Sequence, residues 1–87
     1  MTHFLKIYPA YFRDVKAGIK TFEIRKNDRS YKKDDILVLN EYDYDLCSYT
    51  GHFVVVKVVY FFDNPFFCKD DYVILGIKLL NKLIIKE

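Results

Sequence analysis

Hydrophobic and polar residues alternate along most of this chain with the period of a β-strand, and one short segment switches to the period of a helix. From His3 to Tyr8, Leu5 and Ile7 share a face, which predicts a first strand. Pro9 suits the first turn of a helix, where its missing N–H costs nothing. Tyr11, Phe12, Val15 and Ile19 then recur at helical spacing, and Gly18 falls where a C-terminal cap belongs. The spacing predicts a helix over residues 9–17 that buries Phe12 and Val15, with Tyr11 at the border of the stripe.

A second strand follows at residues 21–25. Alternation sets Thr21, Glu23 and Arg25 on one face and Phe22 and Ile24 on the other. The expectation is that the apolar pair anchors the strand in the core and leaves the polar row open to a ligand. Residues 26–35 form a charged connection, and residues 36–39 open a third strand that runs into Glu41 and Tyr42. Residues 43–51 are polar and end in Thr50-Gly51, a hairpin signal. In the strongest strand, residues 53–61, Val54, Val56, Val58 and Tyr60 share a face, and Asp63-Asn64-Pro65 breaks it. A fifth strand at residues 72–77 has almost no polar content. The tail, residues 78–87, fits a short helical stripe (Leu79, Leu80, Leu83, Ile84) or an extended arm equally well.

Five short strands with one helix after the first predict an α+β, mainly β domain shaped as a small, partly closed barrel, since closure removes exposed strand edges. At 87 residues there is room for one domain: residues 1–78, with 79–87 as an apolar extension of it. A composition 52% hydrophobic and 18% aromatic excludes disorder. Cys47 and Cys68 form neither a CxxC motif nor a disulfide framework, and His3 and His52 lack ligand spacing to either, so no metal or cofactor is expected. No apolar run reaches about 18 residues, and Met1-Thr2-His3 does not open a signal peptide; the expectation is a cytoplasmic protein with reduced cysteines and no membrane partner.

The charge is unevenly spread. Residues 1–33 carry nine Lys or Arg against three acids, a net of +6, whereas residues 34–87 carry five against nine, a net of −4. A polyanion would prefer the first third. There Lys20, Glu23, Arg25, Lys26, Asn27 and Arg29 cluster, with Tyr11 nearby as a candidate stacking surface. Lys20 is either a solvated cap residue or a phosphate contact or base. Glu23 and Arg25 are either a surface ion pair or a carboxylate fixing a guanidinium for recognition. Because Lys20 and Glu23 have opposite strand parity, they converge only if Lys20 precedes the strand or a bulge re-aims it. Asn27, Asp28 and Arg29 fit an Asx-type turn, with Arg29 the one best placed to face a ligand. His3 fits a packed, satisfied histidine better than a catalyst, and Asp43 with Asp45 fits a solvated turn.

The string Gly18-x-Lys20-Thr21-x-Glu23-x-Arg25 resembles the signature of ASCH domains, members of the PUA-like superfamily. The chain is most similar to a DUF3850-type branch, through His3-x-Leu5-Lys6-Ile7-x-Pro9-x-Tyr11-Phe12, the run Lys20 to Arg29, Asp35-x-Leu37, Tyr49-Thr50-Gly51 and Tyr72 to Ile77. The resemblance covers residues 3–77. It implies a PUA-like pseudo-barrel with the helix across one end and a cleft at the Gly-x-Lys motif. It also implies RNA or a nucleotide as partner, held by Lys20, Glu23, Arg25, Lys26, Asn27, Arg29 and Tyr11. An alternative implied by enzymatic relatives is hydrolysis of RNA or acetylcytidine with Lys20 and Glu23 as catalytic residues. In the amidohydrolase type the position three after the lysine is Thr, and here it is Glu23. A third reading is a protein-interaction module that dimerises through residues 79–87.

Overall fold

The computed structural model describes residues 1–80. Strand β1 (Thr2–Ile7) alternates strictly, with His3, Leu5 and Ile7 buried and the residues between them exposed. It leads into helix α1 (Pro9–Lys16), which has Pro9 in its first turn and buries Phe12 and Val15. Tyr11 stays half exposed. Gly18, at φ +79°, takes the left-handed conformation that ends the helix, and its N–H donates to the Val15 carbonyl at 3.0 Å.

Strands β2 (Phe22–Lys26), β3 (Ile36–Asp43), β4 (Ser48–Phe62) and β5 (Tyr72–Leu79) complete one five-stranded sheet in the order β1-β3-β4-β5-β2. β1 runs parallel to β3, and the remaining pairs are antiparallel. The sheet curls into a half-barrel with β1 and β2 as its edges. Leu37, Leu39, Val54, Val56, Val58, Val73, Leu75 and Ile77 fill the concave side, and α1 packs on β3 and β4. Within the described residues this is the mainly β, five-stranded architecture with one helix after the first strand that the pattern predicts.

Two local expectations are overturned. The hairpin does not turn at Thr50-Gly51: β4 begins at Ser48 and passes through Gly51 at φ +96°. The turn lies at residues 44–47, where the Asp43 carboxylate accepts the N–H groups of Asp45 (2.9 Å) and Leu46 (3.0 Å) and Cys47 adopts φ +52°. Asp43 and Asp45 thus form the turn expected of them. Tyr60 does not continue the buried face of Val54, Val56 and Val58; a register irregularity between Val58 and Tyr60 leaves it 63% exposed. Of the tail, Leu79 ends β5 and the Leu80 N–H donates to the Val55 carbonyl at 2.9 Å. The expectation that residues 79–87 dimerise concerns a segment that, from residue 81 on, lies outside the described residues.

Candidate functional site

β2 reverses the expected faces. Glu23 is 4% exposed, whereas Phe22 and Ile24 are 44% and 57% exposed. The ladder to β5 shows the cause: Glu23 pairs with Leu75 and Arg25 with Val73, both core residues, so the polar row faces the concave side. A buried carboxylate is costly unless paired, and here both oxygens are paired. Lys20 Nζ donates to Glu23 Oε2 at 2.7 Å, and Arg25 Nε donates to Oε1 at 2.9 Å. Period two establishes which residues share a face but not which face turns inward; the two cations decide it.

Lys20 lies before β2 begins, so its side chain reaches Glu23 despite the difference in parity. The same ammonium donates to the Phe22 carbonyl at 2.6 Å and sits 4.7 Å and 5.4 Å from the Phe22 and Tyr11 ring centroids. The exposed Phe22 ring thus covers the lysine, a cation–π contact.

The arginines bridge the open side of the barrel. Arg25 Nη2 donates to the Lys6 carbonyl at 2.9 Å, and Arg29 Nη1 donates to the Phe4 carbonyl at 3.3 Å. Residues 25–29 therefore run alongside β1 in the opposite direction, joined to it by guanidinium groups rather than by a backbone ladder. Asn27 serves the loop: its Oδ1 accepts the Tyr31 N–H at 3.2 Å, and its own N–H donates to the Asp71 carbonyl at 2.7 Å.

Above the Arg25 bridge the seam widens into a pocket of about 220 Å³. Lys6, Arg25 and Lys26 line it with positive charge, Tyr8, Tyr11 and Tyr44 supply aromatic walls, and Glu23 contributes the carboxylate. A second hollow of about 290 Å³ shares Tyr11, Glu23 and Ile24 and adds Lys20 and Phe22. Lys20, Glu23, Arg25, Lys26 and Tyr11 are thus brought together; Arg29 lies further along the seam and Asn27 is turned into its loop. Lys6, Tyr8 and Tyr44 were not legible as site residues, since each comes from a segment that only the fold carries to β2. The one usable signal was the parity of Lys6, opposite to buried Leu5 and Ile7.

Deeper along the seam lies a buried polar cluster. The Asp35 carboxylate meets His3 Nε2 at 2.8 Å, accepts the Lys32 N–H at 3.0 Å and accepts the Met1 ammonium at 3.1 Å. His3 is therefore the satisfied, packed histidine expected, and its ring meets the buried Tyr31 edge-on at 4.8 Å. Burial pushes the Asp35 carboxyl up, but the hydrogen bonds from His3, Lys32 and the ammonium outweigh it and hold the group below its ordinary value. Burial raises the Tyr31 phenol, and Arg25 and Arg29 offset part of that rise. Among the described residues, no group of three or more His, Cys, Asp or Glu is arranged to hold a metal ion, and no helix is long and apolar enough to cross a membrane.

These features define a small curled half-barrel whose seam carries a cationic, tyrosine-lined pocket. The family model described as Domain of unknown function (DUF3850) matches residues 2–77, and the chain belongs to that family. No curated protein matches the chain.

Proposed function

We propose that the chain is an RNA- or nucleotide-binding domain of ASCH, PUA-like type, and that the seam pocket between β1 and β2 receives a nucleotide. The observation that carries this reading is the juxtaposition of Lys6, Arg25 and Lys26 with Tyr8, Tyr11 and Tyr44 around one buried carboxylate. Cations suit a phosphate, and tyrosine rings suit a base, each stacked base contributing about 1–3 kcal/mol. Glu23, with a cation on each oxygen, fixes Lys20 and Arg25 in place beside the pocket. The net +6 of residues 1–33 supports the same reading through steering.

The geometry is less suited to hydrolysis by Lys20 and Glu23. The lysine amine is engaged by Glu23 and the Phe22 carbonyl, and both carboxylate oxygens are held by cations. A general base needs a lone pair free at the reacting proton.

Titrating the ¹⁵N-labelled protein with nucleoside 5′-monophosphates tests the proposal. Saturable shifts of the amides of residues 6–8, 23–26 and 44 are expected. An unperturbed spectrum, or the same shifts with inorganic phosphate alone, would overturn it.

A further inference from the structure

Five tyrosines, from α1, β3, β4 and the connections that hold Tyr8 and Tyr44, touch in an unbroken series. Tyr11 meets Tyr8 at 5.9 Å between centroids, Tyr8 meets Tyr44 at 4.5 Å, Tyr44 meets Tyr42 at 4.8 Å, and Tyr42 meets Tyr49 at 4.9 Å. Tyr8, Tyr11, Tyr44 and Tyr49 are each 45–57% exposed. Exposed aromatic rings at such density cost solvation and call for an explanation beyond packing. The series starts at the Lys20–Glu23 pair, forms a wall of the seam pocket and continues outward along the β3–β4 hairpin.

Its charge is arranged to match. Lys20 Nζ stands 5.4 Å from the Tyr11 ring at one end, and Lys6 Nζ stands 4.1 Å and 5.8 Å from Tyr42 and Tyr49 at the other. Two acids of the hairpin accept hydrogen bonds within it: Glu41 accepts the Thr50 hydroxyl at 2.7 Å, and Asp43 accepts the N–H groups of Asp45 and Leu46 in the turn.

We infer that this tyrosine series is a stacking track for a single-stranded RNA, one nucleotide of which enters the seam pocket. The inference rests on the pocket's being a nucleotide site and adds the strand that leads to it. Stacking on rings is open to any base but needs bases that are not paired, which selects single strands over duplexes. The phenol hydroxyls, as donors and acceptors, suit the ribose 2′-hydroxyl.

Fluorescence anisotropy with an eight-nucleotide single-stranded RNA, its duplex, the same sequence in DNA and a competing mononucleotide tests the inference. Tyr49→Ala removes a ring outside the seam pocket and is expected to weaken octamer binding roughly tenfold while leaving mononucleotide binding unchanged. Tyr49→Leu, which retains apolar bulk in the strand, is expected to lose as much as Tyr49→Ala, and Tyr49→Phe to retain stacking. Wild-type binding of the octamer no tighter than the mononucleotide, of duplex or DNA as tightly as the single-stranded RNA, or unchanged by the Tyr49 variants, would overturn the track and leave the pocket standing. Failure to bind either the mononucleotide or the octamer would overturn both.

Discussion

Glu23 is the residue on which the site turns. It is buried, accepts both Lys20 and Arg25, and holds two cations that would otherwise be neighbours without a counter-charge. Removing one member of a buried ion group leaves the others uncompensated. Because Lys20 and Arg25 retain 16% and 20% side-chain exposure, the loss falls toward the low end of the usual range. Glu23→Ala is expected to destabilise the fold by about 2–4 kcal/mol, read as a drop of at least about 8 °C in the thermal midpoint. An unchanged midpoint would show that the triad does not support the fold. Asp35 gives a second test at this scale. Its carboxyl titrates below its unfolded value, so its stabilisation is complete above about pH 4 and is lost as pH falls through the lower, folded value. Asp35→Asn should flatten the acid limb of the stability profile; an acid limb of the same steepness would contradict the assignment.

At the scale of elements, the strands and the helix were legible because their signals are local. Leu5 and Ile7 mark β1, Pro9 and Gly18 bracket α1, and Asp63-Asn64-Pro65 ends β4. The failures arose where a non-local contact outweighed the pattern. β2 turns its polar row inward because Lys20 and Arg25 neutralise Glu23, and apolar Phe22 and Ile24 take the outer face. The hairpin turn moved from Thr50-Gly51 to residues 44–47 because the Asp43 side chain closes it and Gly51 serves within the strand. The positive φ of Gly18 makes a specific demand: Gly18→Val is expected to cost about 1 kcal/mol or more, measured by denaturant unfolding, and no loss would place the helix end elsewhere. The seam makes another. With Arg25 and Arg29 joined to the carbonyls of Lys6 and Phe4, the double variant Arg25→Ala/Arg29→Ala should accelerate amide exchange along β1 relative to β4. Equal protection of β1 in both proteins would remove the arginines from the closure.

At the scale of the whole molecule, an open sheet of order β1-β3-β4-β5-β2 brings its two edges together, and the chemistry collects where they meet. The charge cluster of residues 20–29 was legible, since its Lys and Arg lie close together along the chain, and the proposed site lies beside it. Its partners Lys6, Tyr8 and Tyr44 were not, because they are adjacent to it only through the curl of the sheet. The central claim is that this seam binds RNA or a nucleotide through charge and stacking. The most direct measurement is the affinity for a short single-stranded RNA as a function of salt, in the wild-type protein and in Lys26→Glu. If about three phosphates are neutralised, log K should fall by about 2 per decade of salt, at about 0.7 per contact, with a shallower slope and weaker binding in the variant. Binding that is absent at low salt, independent of salt, or identical in Lys26→Glu would contradict the account.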